Sequence, residues 1–147
     1  MYTVTGESRT ANIKSHINRK VVINMKKIAT DKAPAAIGPY SQAIVTGNLL
    51  ITSGQIPIDP AVGKVTATTI EDQAEQVFKN LYAVLEAAGT DQSKIIKTVC
   101  FLKDMGDFAA FNGVYSKYIT EKPARSCVAV KALPMDVLCE VELIAEI

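Results

Sequence analysis

Tryptophan is absent from this 147-residue chain, and histidine occurs once, as His16. Arginine is nearly as scarce, at Arg9, Arg19 and Arg125, and the cysteines are Cys100, Cys127 and Cys139. No apolar run approaches the roughly 18 residues that a membrane helix needs. The net charge of +1 provides no electrostatic footprint for nucleic acid. Hydrophobic residues at 48% and charged residues at 21% fit one ordinary folded domain.

The scarce residues are unevenly spread. Residues 1–24 hold His16, Arg9 and Arg19, and carry four basic residues against Glu7, a charge of +3. From Met25 onward 12 basic residues face 14 acidic ones, a charge of −2. That body contains 11 lysines but a single arginine, Arg125, and no histidine. A Ser-His-Asp or Cys-His catalytic set, or a His-ligated zinc, cannot be built within it. The cysteines lack C-x-x-C spacing and read as reduced thiols of an intracellular protein. No metal and no cofactor is expected, because no phosphate loop, dinucleotide fingerprint or metal-ligand spacing is present. A site must be made from carboxylates, Lys, Tyr, Ser, Cys, backbone amides and Arg125.

Two regions follow. Residues 1–24 are basic and place Ile13, Ile17 and Val21 every four residues. They read as a mitochondrial-type targeting peptide or as an unstructured extension ahead of Met25. The expected location is the cytoplasm, or an organelle if the extension is a targeting signal. Residues 25–147 form the domain.

Within the domain, residues 28–39 are rich in Ala, Gly and Pro and read as an ordered arm. The apolar runs 43–45 and 49–51 flank Thr46-Gly47-Asn48, a hairpin pattern. Residues 54–69 read as a loop with a short strand near Val65. Ile70, Ala74, Val77, Leu81, Val84, Leu85 and Ala88 form one stripe at helical spacing over 70–88, with Thr69 as N-cap and Gly89 past the end. A strand is expected over 95–103 and a helix over 107–120. Strands are expected over 124–130 and 138–147. The order predicts an α+β domain, one mixed sheet with two helices on one face.

Strand alternation puts Arg125, Cys127 and Ala129 on one face, and Glu140, Glu142 and Ile144 on one face. A short Pro-containing connection suggests that these two strands pair, with Arg125 near Glu140 on a common surface. Arginine suits a planar carboxylate, which it grips by two parallel hydrogen bonds. A glutamate beside it can orient or deprotonate a water. The alternative is a plain cross-strand ion pair worth under ~1 kcal/mol. Ser53-Gly54-Gln55 follows a strand, and its glycine allows close backbone approach. Tyr40 either overhangs a pocket or packs as an ordinary aromatic. Cys127 has no base beside it to make a thiolate.

Seven blocks then stand out in order: APAAIGPYSQA, ITSGQIPID, LEAAGT, IIKTVCFLKDMGDF, FNGVYSKY, PARSCVAV and LPMDVLCEVELIA. Their order and spacing over 26–147 resemble the RidA/YjgF family of reactive intermediate deaminases, also labelled endoribonuclease L-PSP. The resemblance implies a chorismate-mutase-like fold and a barrel-like homotrimer with ligand sites between subunits. It implies hydrolysis of 2-enamine and 2-imine intermediates such as 2-aminoacrylate and 2-aminocrotonate to 2-oxo acids and ammonia. Arg125 then matches the carboxylate clamp and Glu140 the group that positions the attacking water. Tyr40, Ser53, Gly54, Asn112 and Cys127 match substrate-binding positions. The alternatives are an RNA-cleaving translation inhibitor, disfavoured by the acidic, histidine-free body, and a non-catalytic metabolite binder. The connection before Pro123 is about four residues shorter than is usual in the family and carries Lys122 before the proline, which bears on cleft width and substrate range.

Overall fold

The computed structural model describes residues 24–147; the targeting or extension reading of the first residues lies outside this range. A six-stranded sheet runs in the order β1-β2-β3-β8-β6-β7. Its strands are β1 (Lys26–Ile28), β2 (Ala43–Thr46), β3 (Leu49–Thr52), β6 (Ile95–Leu102), β7 (Ala124–Ala129) and β8 (Cys139–Glu146). A two-stranded ribbon joins β4 (Ile58–Asp59) to β5 (Lys64–Val65). Helices α1 (Ile70–Ala88) and α2 (Phe108–Tyr118) complete the fold. The mixed sheet and two helices form the expected α+β domain.

Local chemistry explains the clearest elements. Thr69 Oγ1 accepts from the Asp72 N–H at 3.2 Å and caps α1. Gly89 adopts φ 81°, and its N–H donates to Glu86 while Thr90 N–H donates to Leu85, closing the last turn. The apolar stripe of α1 is buried from Ile70 to Leu85, with Ala88 half-buried at the frayed end. Phe78 joins that stripe fully buried, stacked on Tyr118 at 5.2 Å between ring centres and tilted against Phe111 at 6.1 Å. These rings bind α2 to α1. In the hairpin, Thr46 pairs with Leu49 across a two-residue loop whose Gly47 takes φ 59°.

Three expectations change. The 124–130 and 138–147 strands do not pair with each other. β7 runs parallel to β6, and β8 pairs antiparallel with β6 on its other edge. The α2 crossover imposes this, because a strand-helix-strand connection returns the chain parallel to its starting strand. β7 is therefore an edge strand. Lys26–Ile28 forms a further edge strand on β2, too short to leave a periodic signal. The loop after β3 holds the β4–β5 ribbon around the expected strand near Val65.

Buried polar side chains fix the loops over the sheet ends. Asn80 on α1 donates from Nδ2 to the carbonyls of Ile56 at 3.1 Å and Ile58 at 2.9 Å, and accepts from Gln76 at 2.9 Å. Gln73 donates to Ala67 and accepts from Leu138 N–H at 2.7 Å. Asn80 thus ties the segment after Gly54 to the helix. Asn80→Ala removes the donor shared by the Ile56 and Ile58 carbonyls, of which Ile56 keeps a second partner in the Ile58 N–H at 2.8 Å, so it should lower unfolding free energy by about 2 kcal/mol in denaturant titration.

Candidate active site

Arg125 lies on β7 with its side chain laid against α2. Its Nη1 donates to Asn112 Oδ1 at 2.7 Å. Its guanidinium carbon sits 4.7 Å from the Tyr115 ring centre and 5.6 Å from that of Phe108. Phe108, Asn112 and Tyr115 are four and three residues apart, so one face of α2 presents all three. The Tyr115 hydroxyl is tied to Thr98 Oγ1 at 2.8 Å in the core, which fixes the ring under the cation. Asn112 supplies a neutral acceptor, and none of the ion pairs among the described residues includes Arg125. The guanidinium is oriented but not neutralised. It opens on a cleft of about 450 Å³ that Asn112, Tyr115 and Pro123 also line.

Cys127 stands two residues further along the same face, in register with Cys100. Burial raises the Cys127 thiol, with Arg125 acting in the opposite direction, and burial pushes Cys100 up to about 12. Both are thiols rather than nucleophilic thiolates. As an edge strand, β7 turns alternate N–H and C=O groups outward near Cys127, where a ligand can meet them.

Glu140 occupies the other face. Cys139, Val141, Leu143 and Ala145 of β8 are buried under the helices, so Glu140 and Glu142 project from the side the helices leave open. The registers agree: Arg125 lies beside the core residue Thr98, whereas Glu140 lies beside Phe101. Arg125 and Glu140 therefore do not share a surface within one chain. The expected common face assumed that β7 and β8 were neighbours, and β6 separates them.

Glu140 has its own surroundings. Gln55 N–H donates to Val141 at 2.8 Å and Val141 N–H donates to Gln55 at 3.1 Å, which draws Gly54 over the carboxylate. A Cβ on Gly54 would lie 1.8 Å from Glu140 Oε1, so glycine is required by this approach. Burial, with the Glu142 charge as the smaller cause, raises the Glu140 pKa. Ser53 adjoins Gly54; its Oγ donates to Ser41 at 2.6 Å and its N–H to Gln42 at 2.9 Å. Tyr40 is exposed, accepts from Ile37 N–H at 3.3 Å, and lines a small hollow with Gly54, Gln42 and Gln55.

The predicted residues thus fall into two groups. Arg125, Asn112 and Cys127 lie together on the helix-covered side at the β7 edge. Tyr40, Ser53, Gly54 and Glu140 lie together at the other side. Two contributors were missed from sequence. Tyr115 braces Arg125, signalled only by its three-residue spacing from Asn112. Gln42 is a buried pin whose Oε1 accepts from Thr30 N–H at 2.6 Å and whose Nε2 donates to Thr30 at 3.0 Å and Pro34 at 2.8 Å. It holds the arm that carries Tyr40. Among the described residues no grouping of His, Cys, Asp and Glu could hold a metal ion, and no helix is long and apolar enough to cross a membrane.

This sequence and this sheet with helices on one side have known counterparts. Residues 30–147 match the family model described as Endoribonuclease L-PSP. The 2-iminobutanoate/2-iminopropanoate deaminase of Escherichia coli K12 is 51% identical over 124 residues, covering 82% of this chain and 96% of that protein. The Lactococcus lactis protein AldR, named as a regulator, is 52% identical over 124 residues, covering 84% of this chain and 98% of its own. A Yersinia pestis protein described as a member of the conserved Rid family superposes with TM-score 0.82 at 45% identity, covering 84% of this chain and all of the other. The chain belongs to the Endoribonuclease L-PSP family, the RidA/YjgF group of proteins.

The Glu140 carboxyl should titrate above the ordinary glutamate range in carbon-detected NMR. Glu142→Gln should bring the midpoint down only part-way, because burial is the larger cause. The raised value makes this group's contribution to stability greatest at low pH. It is lost as pH rises through the Glu140 midpoint.

Proposed function

We propose that the protein is a hydrolytic deaminase of short 2-imino acids, in tautomeric exchange with 2-enamines such as 2-aminoacrylate and 2-aminocrotonate. The reaction adds water to the C=N carbon and releases ammonia, turning 2-iminopropanoate into pyruvate. The carbon is already electrophilic, so the demand on the protein is orientation and proton management. The observation that carries the reading is Arg125, oriented by Asn112 and Tyr115 yet without a carboxylate partner among the described residues. Its free N–H groups suit the substrate carboxylate. Glu140 positions the water and relays its protons; burial, which raises its pKa, favours a carboxylate that takes up and returns a proton. Outward backbone groups beside Cys127 and the Ser53–Gly54 turn hold the nitrogen end, and Tyr40 shields it.

Arg125 and Glu140 face opposite ways in one chain, so the complete site is made by two copies. Arg125 comes from the β7 edge of one subunit and Glu140 from the open face of the next, in a homotrimer. The open face supports this assembly. Ile44, Ile51, Val99, Phe101, Val128 and Ile144 all project there, with Ile51 43% and Val128 47% exposed. So much contiguous apolar surface is a mark of a covered interface. The deaminase reading itself is supported by the relative named 2-iminobutanoate/2-iminopropanoate deaminase, at 51% identity.

The test couples a threonine or serine dehydratase, which generates the imine, to detection of the 2-oxo acid. Arg125→Ala should lower kcat/KM at least about a hundredfold with the trimer intact, and Arg125→Lys about tenfold, since a point charge cannot reproduce the fork. Glu140→Gln should lower kcat. Wild-type turnover in Arg125→Ala would remove the clamp. RNA cleavage that survives Arg125→Ala, without imine hydrolysis, would favour the endoribonuclease reading instead.

Subunit mixing tests the shared site. Equal parts of Arg125→Ala and Glu140→Gln, unfolded and refolded together, should regain about a quarter of wild-type activity if each site draws on two subunits. A mixture as inactive as its parts would place both residues in one subunit's site.

A further inference from the structure

We propose that Lys122 binds a second substrate carboxylate, and that the preferred substrates are 2-imino dicarboxylic acids of four or five carbons. This rests on the deaminase reading and narrows it. The connection from α2 to β7 spans only residues 119–123. Lys122 holds φ 52° directly before Pro123, a left-handed backbone that a non-glycine residue rarely adopts and that a following proline further disfavours. Strain of this kind persists where the surroundings hold it, and it clusters at ligand sites.

The strained turn places Lys122 on the wall of the Arg125 cleft. That cleft has two cations in its lining, Lys122 and Arg125, and no carboxylate. Among the described residues Lys122 is in no ion pair, whereas the nearby Lys117 approaches Glu75 at 3.9 Å. Glu121, next in sequence, has its carboxylate 3.4 Å from the Oγ1 of Thr120, a cleft residue, and so stands at the rim but not in the lining. Two residues, Pro123 and Ala124, separate Lys122 from Arg125, so their backbones lie at most about 10 Å apart, a gap the flexible lysine stem can close. A monocarboxylate on Arg125 would leave Lys122 facing the cleft without an anion. A second carboxylate one or two methylenes further on meets it, and Ile119 and Pro123 provide an apolar wall for those methylenes. The hydrolysis is unchanged: water adds to the imine carbon, the C–N bond breaks, and ammonia leaves with the 2-oxo diacid as product.

The experiment generates 2-iminosuccinate or 2-iminoglutarate in place from aspartate or glutamate with an amino-acid oxidase, and 2-iminopropanoate from alanine. Imine loss is followed in the intact oligomer. The readout is the ratio of kcat/KM for the dicarboxylic imine to that for 2-iminopropanoate. Lys122→Gln should lower this ratio at least about fivefold, the size of a charge pair partly screened by water. Lys122→Arg should preserve it and Lys122→Glu should depress it further. Lys122→Gly separates charge from backbone: it relieves the positive φ, so thermal stability should not fall while the ratio does. An unchanged ratio in Lys122→Gln and Lys122→Gly, with 2-iminopropanoate still hydrolysed, overturns the role of Lys122 and leaves the deaminase reading standing. No acceleration of any imine by wild type overturns both.

Discussion

Each strand of this sheet sends alternate side chains to opposite faces, and the helices cover only one of them. Nearly everything else depends on that constraint. Phe78, Phe111 and the stripe of α1 bury most of one face up to the exposed β7 edge, which leaves the other face with much apolar surface uncovered. The same alternation decides where chemistry can occur. Arg125 falls on the helix-covered side and is braced by α2. Glu140 falls on the open side and is roofed by the Gly54 turn. A rotation of one residue in either strand would exchange a functional side chain for a core one.

Arg125 and Glu140 have contrasting electrostatic surroundings. Arg125 meets a neutral amide and an aromatic ring, groups that orient a cation without cancelling its charge. Glu140 is partly desolvated and sits near Glu142, so its proton is held more firmly than usual. Arg125 thus keeps free donors, and Glu140 holds its proton more firmly than an exposed glutamate does. Neither is arranged as an ion pair with the other, which is why the cross-strand salt bridge conceivable from the sequence does not form within the chain.

Strain is concentrated at connections rather than within elements. Lys122 lies in left-handed backbone beside the cleft, and Met135 and Asp136 do so in the turn that leads into β8. The last of these is anchored by Lys103, whose Nζ lies 2.7 Å from Asp136 Oδ1. Short connections force these conformations because the ends of the elements are already set by packing.

The sequence by itself determined the helices and the hairpin, because their signals are local. Ile70, Ala74 and Val77 repeat at helical spacing, Thr69 and Gly89 cap the helix, and Gly47 supplies the turn. It also determined the chemical inventory of the body: one arginine and no histidine. The relation between Arg125 and Glu140 was not legible there. It depends on β6 standing between β7 and β8, a pairing made between residues far apart in the chain and enforced by the handed return through α2. Tertiary structure alone put Tyr115 beneath Arg125, drew Gly54 onto Glu140, and left Arg125 and Glu140 on opposite faces of the sheet. Spacing along a chain reports neighbours within an element, whereas the partners across a sheet are chosen by the burial of whole faces.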